Sequence, residues 1–259
     1  MPTFSPLAIA VLAGVAFVAG LIDAIAGGGG LLTVPALLAA GLPPHLALGT
    51  NKGQSVFGSG AAMVKFWRSG LIEPSRARAG FPLGLVGSAC GAALVLAVPA
   101  ARLKPIVLVL LAAAALFIGL RRGKPEARAA AGLPPPWRGG PITAGAIAFT
   151  VGAYDGFFGP GTGTFLIVAF VALLGDGLAR ASAAAKVVNF ASNLAALAIF
   201  AWRGVVVWPV ALPMAVGQLC GGWLGAHLAL RRGDVLVRRA VVLTALAVAA
   251  RLAWDTWSH

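Results

Sequence analysis

The chain has little charge, little histidine and little cysteine. Of its 259 residues only 10% are charged, against about 25% in soluble domains, and that shortage argues against a water-soluble globule. The two cysteines, Cys90 and Cys220, are too few for a disulfide framework or a metal scaffold. Both lie in apolar runs and are expected to be packing residues. The three histidines are scattered, and no H-E-x-x-H, P-loop or nucleophile-elbow pattern occurs. No metal, cofactor or enzymatic centre is therefore expected. The N-terminus also lacks the basic n-region and small-residue cleavage site of a signal peptide, so the segment from Pro6 is expected to be a retained helix.

What the chain does have is apolar sequence. It is 59% hydrophobic, with a mean hydropathy of +0.93. Crossing a bilayer takes about 20 apolar residues. Runs of that length lie at 6–24, 46–67, 79–99, 103–120, 140–156, 183–202, 205–230 and 235–257. Two more, 31–40 and 164–174, are too short to cross alone and are expected to be half-helices or re-entrant segments. The expected fold is an all-α polytopic membrane protein with 8 full spans and 2 short helices.

The net charge of +13 is unevenly placed. Arg68, Arg76 and Arg78 flank one connection; Arg121, Arg122, Lys124, Arg128 and Arg138 fill the only long one; Arg231, Arg232, Arg238 and Arg239 crowd a third. The other side holds little beyond Arg102, Lys104 and Arg203. This is the positive-inside pattern, which makes the basic connections cytoplasmic and puts both termini outside. Anionic lipid headgroups account for the charge, so the bilayer and not nucleic acid is the expected partner. A homodimer is left open.

Two expensive motifs recur. Gly20-Leu-Ile-Asp23-Ala-Ile-Ala-Gly27-Gly28-Gly29-Gly30 precedes an apolar run and Lys52. Gly152-Ala-Tyr-Asp155-Gly-Phe-Phe-Gly159-Pro160-Gly161-Thr162-Gly163 precedes another run and Lys186. Further landmarks keep the order: Trp67-Arg68 and Trp202-Arg203, then Gly87-Ser-Ala-Cys90-Gly91 and Gly217-Gln-Leu-Cys220-Gly221. The chain therefore divides into a first half at 1–121, a cytoplasmic linker at 122–139 and a second half at 140–259. Arg68 falls inside and its counterpart Arg203 outside, so the halves are expected to be inverted about an axis in the membrane plane.

The motifs point to an anion site. Gly27 to Gly30 resist a rigid helix, each glycine costing about 1 kcal/mol relative to alanine, and Pro160 removes a donor. Each break leaves free N–H groups and a partial positive charge at the start of the next helix. Gly161, Gly163 and the hydroxyls of Thr33, Thr162 and Thr164 belong to the same candidate site. Close helix packing through small residues is the alternative. A lysine within a span costs roughly 2.5–3.5 kcal/mol, so Lys52 and Lys186 need a partner or an aqueous cavity. They neutralise an anionic substrate or, from the first turns of their helices, snorkel to an interface. Asn51, Gln54, Asn189 and Asn193 are substrate ligands or interhelical hydrogen bonders. Asp23 and Asp155 load protons, cap the breaks, or pair with a lysine of the same or the opposite half.

These residues resemble the TauE/SafE sulfite exporter family, also called the toluene sulfonate uptake permease family. The resemblance rests on G-x-I-D-x-I-A-G-G-G-G-L-L-T-x-P, on Ala47 to Gln54, on Gly156 to Phe165 and on Lys186 to Asn193, and it covers essentially the whole chain. Gly49 stands where many relatives carry alanine. The resemblance implies a bacterial-type inner-membrane transporter of small sulfur-containing anions such as sulfite, sulfonates or sulfoacetate. The function expected is thus a secondary transporter working by alternating access, with a passive anion channel or a membrane-embedded assembly protein as alternatives.

Overall fold

A computed structural model describes residues 4–120 and 140–231. The linker, the expected span at 235–257 and the basic residues Arg121, Arg122, Lys124, Arg128, Arg138, Arg232, Arg238 and Arg239 lie outside the described residues. Within them the regular structure is helical. The N-terminal segment carries α1 (Pro6–Ala26), α2 (Gly30–Ala39), α3 (Pro44–Arg68), α4 (Pro74–Ala97) and α5 (Ala100–Leu120). The C-terminal segment carries α6 (Pro141–Phe157), α7 (Thr162–Leu174), α8 (Leu178–Trp202) and α9, helical at 208–231.

Every expected apolar run in the described residues is a helix, and all but α1 start at a shifted residue. α4 begins five residues before its apolar run, at Pro74, and α8 five residues before its own, at Leu178. Hydropathy misses these starts because Arg76, Arg78 and Arg180 occupy the opening turns. The Pro74 ring, with φ already set, suits the first helical position. α1, α4 and α8 combine the length and hydropathy needed to cross a membrane. α2 and α7, with 10 and 13 residues, span only about 15 and 20 Å at 1.5 Å per residue.

The two glycine motifs do break the chain. α1 ends at Gly27, which turns to a left-handed φ of +80° while its N–H donates to the Asp23 carbonyl at 2.9 Å. After α6 the chain passes Gly159 and Gly161, at φ +97° and +84°, before α7 begins. The breaks abut: a Cβ on Gly27 would collide with the backbone of Gly163. Thr164 fastens them, its N–H donating to the Gly27 carbonyl at 3.3 Å and its hydroxyl to that of Ala26 at 2.8 Å.

Packing crosses between the segments. α4 lies along α6, where Gly87 and Gly91 meet the backbone of Phe149 and Ala153. α9 lies along α1, where Gly221 and Gly225 meet that of Phe17 and Leu21. Phe17 and Phe149 each stand six residues before the aspartate of their motif. By contact, then, Gly87 matches Gly221 rather than Gly217, one helical turn away from the correspondence read in the sequence. That correspondence is a Gly-x-x-Cys-Gly match, and its Cys90 and Cys220 are both exposed. They are not packing residues, and their alignment carries no structural constraint. α8 is the central helix, with 67% of its apolar window buried against 33% for α1.

Candidate substrate site

The central polar residues are held by α3 and α8. Lys52 lies eight residues after Pro44 at the start of α3, and Lys186 eight residues after Leu178 at the start of α8. Both are thus beyond the first turns and 2% or less exposed, which rules out snorkelling. Each ammonium has an aspartate, and the partners are exchanged. Lys52 Nζ is 2.8 Å from Asp155 Oδ1, and Lys186 Nζ is 2.8 Å from Asp23 Oδ2. Two positive and two negative charges cancel, which makes their burial tolerable.

The two pairs are not equally supported. Asp155 also accepts from the Thr162 hydroxyl at 2.9 Å and from the Ser192 hydroxyl. Lys52 makes a second bond, to Asn193 Oδ1 at 3.0 Å, and Asn193 in turn donates to Ser59. Among the described residues Asp23 has only a long bond from the Gly29 N–H, at 3.4 Å, besides its lysine. Its side chain is 18% exposed, against 5% for Asp155. The Asp23–Lys186 pair is therefore the more open one.

Between the pairs and the breaks lies a cavity of about 20 Å³, room for about one water molecule. Of the residues expected at the site, Asp23, Gly27, Gly30, Asn51 and Lys52 line it from the N-terminal segment. Asp155, Thr162, Gly163, Asn189 and Asn193 line it from the C-terminal one. The N–H groups of Gly30 and Gly163, in the opening turns of α2 and α7, form no hydrogen bond among the described residues. They are the free donors a helix start offers to an anion.

Other expected residues stand behind the wall. Thr33 and Gln54 both donate to Asn51 Oδ1, at 2.6 and 2.9 Å, and fix that amide. Thr164 joins the breaks, and the Pro160 carbonyl accepts from the Tyr154 hydroxyl at 2.7 Å. Gly28, Gly29 and Gly161 form the turns, and Lys186 acts through Asp23. Three lining residues were not among the candidate site residues: Ser55, Gly159 and Gln218. Gln218 had a signal, an amide in an apolar run inside the Gly217 to Gly221 landmark, but its counterpart in that match is Ser88, so no repeated amide marked it.

The model of the sulfite exporter TauE/SafE family matches residues 12–252. The chain belongs to this family. It is 41% identical over 255 residues to the probable membrane transporter protein YfcA of Escherichia coli K12, covering 97% of this chain and 92% of that protein. Similarity to the probable membrane transporter protein ORF9 of a Sinorhizobium species is 39% over 246 residues, covering 93% and 90% of the two chains. A probable membrane transporter protein of Haemophilus influenzae is 39% identical over 255 residues, 97% of each chain. No solved structure matches. With its apolar helices, this TauE/SafE member is a membrane-embedded protein.

Proposed function

We propose that the chain is a secondary transporter of small anions, sulfur oxyanions such as sulfite or sulfonates first among them, working by alternating access across the cytoplasmic membrane. The reading rests chiefly on the exchanged pairs Lys52–Asp155 and Lys186–Asp23, which flank a cavity faced by the free amides of Gly30 and Gly163. Ammonium groups and helix starts suit an anion; the sulfur comes from the family and from nothing in the geometry.

The two segments act as inverted repeats that rock about the abutting breaks. In support, the contacts Gly87–Phe149 and Gly91–Ala153 have the counterparts Gly221–Phe17 and Gly225–Leu21. A cavity the size of a water is smaller than any oxyanion, so this is a closed arrangement and binding must loosen a pair. An incoming anion competes with the aspartate for its lysine. Protonation of Asp23 or Asp155 releases the lysine, and it also cancels the charge the anion adds. Transport coupled to protons follows.

The test is uptake of labelled sulfite into proteoliposomes holding the purified protein. Lys52→Ala and Lys186→Ala should each abolish it while the protein stays folded in the bilayer. Wild-type flux in both variants would overturn the reading. Exchange of labelled for unlabelled substrate separates a carrier from a channel.

A further inference from the structure

Gln218 is the residue of the cavity wall that the ion pairs leave unexplained. It lies on α9, is 2% exposed, and lines the cavity together with Asp23 and Lys52. Among the described residues its side chain forms no hydrogen bond, and its Oε1 is buried without a partner. Asn189, across the cavity on α8 and 4% exposed, likewise has an unpaired Oδ1. The neighbouring amides differ: Asn51 and Asn193 are bonded. Gln54 also has an unpaired oxygen, but its Nε2 is bonded twice and it does not line the cavity.

The fold makes a place for this unbonded glutamine. A Cβ on Gly20 of α1 would stand 2.5 Å from Gln218 Oε1, and one on Gly58 of α3 would stand 2.6 Å from its Cγ. Two glycines on two helices therefore shape a slot that holds the side chain against the cavity. Buried polar groups in proteins nearly always find partners, and an amide left without one is destabilising. An idle amide beside a charged cavity is completed by what the cavity holds, a water at rest and the anion when it binds. A half-turn of the terminal amide lets Gln218 or Asn189 offer either N–H or C=O at the same place.

Resting on the transporter reading above, we propose that Gln218, with Asn189, contacts the substrate and selects an anion with several oxygens over a halide. The donors that line the cavity differ in position as well as kind: the Lys52 ammonium of α3, backbone amides at the starts of α2 and α7, and side-chain amides of α8 and α9. A halide is one atom and satisfies only donors that converge on a point. A three-oxygen anion gives Lys52 one oxygen and the carboxamides another.

The experiment measures concentration-dependent uptake of labelled sulfite into proteoliposomes, with chloride as competitor, for wild type and Gln218→Met. Methionine keeps the length and volume but has no N–H. KM for sulfite should rise about tenfold, the effect of one lost hydrogen bond to a charged ligand. Maximal rate should stay within about twofold and chloride inhibition should not change. An unchanged KM in a folded Gln218→Met protein overturns the inference and leaves the transporter reading intact. Should that variant fail to fold, Gln218→Glu has the native shape and, assayed at a pH where it is ionised, presents only acceptors. It should abolish sulfite uptake, and a wild-type KM there overturns the inference too. If the wild type moves neither sulfite nor any other oxyanion, the transporter reading fails and this inference falls with it.

Discussion

Lys52 and Asp155 meet at 2.8 Å across the boundary between the two described segments, both of them buried. The mirror contact, Lys186 with Asp23, has the same length. Neither lysine is paired within its own segment, so the two segments neutralise each other, and any motion that parts them must first deal with charge.

Removing one member should therefore harm the fold more than removing both. Lys52→Met leaves Asp155 buried without its cation, a loss on the order of 3–5 kcal/mol. Lys52→Met with Asp155→Leu removes both charges and should recover much of that stability. Thermal melting of the single and double variants in detergent checks this. Additive losses would mean that the two residues are not coupled.

Asp23, the more exposed carboxylate, is the better candidate for the proton. Asp23→Asn keeps the shape and a polar contact for Lys186. Exchange of labelled for unlabelled sulfite should persist in this variant. Accumulation driven by an imposed proton gradient should be lost. Proton-driven accumulation equal to wild type would assign the coupling elsewhere.

The crossing of the breaks makes Gly27 intolerant of any side chain. Its φ of +80° disfavours an L residue, and a Cβ there would collide with Gly163. Gly27→Ala should lower the melting point by several degrees and stop uptake. Gly14, inside α1 and with nothing within 4 Å of the added carbon, is a control. Gly14→Ala should be neutral or gain up to about 1 kcal/mol.

Away from the site, Arg76 of α4 grips both oxygens of Asp176, at 2.8 and 2.9 Å, and reaches Glu73 at 2.8 Å. Asp176 is only 5% exposed. Arg76→Ala should destabilise by about 1–3 kcal/mol, and adding Asp176→Asn should restore part of it. Melting curves of the two proteins decide; equal losses would mean that the pair adds nothing.

Much of this was legible in the sequence, for reasons that differ by element. Apolar runs located the helices, because length and hydropathy are what a bilayer demands. The opening turns of α4 and α8 were hidden by arginines that lie outside the apolar stretch but inside the helix. Asp23, Lys52, Asp155 and Lys186 stood out because charge in apolar sequence is rare and costly. Their exchanged pairing could not be read, since a sequence match says which residues correspond, not which touch. The register of α4 against α9 differs from the sequence match by one turn because glycines recur every four residues on both helices, so the Gly-x-x-Cys-Gly match fits one turn away from the packing. Gln218 stayed hidden inside the Gly217 to Gly221 landmark because it carries no charge and its counterpart there is Ser88, not an amide.

The most direct test is exchange of labelled for unlabelled sulfite in proteoliposomes, comparing wild type, Lys52→Ala and Lys186→Ala. The account predicts saturable exchange in the wild type and none in either variant, with all three proteins folded. Wild-type exchange in both variants would contradict it, because the paired lysines would then be structural and the anion would bind elsewhere.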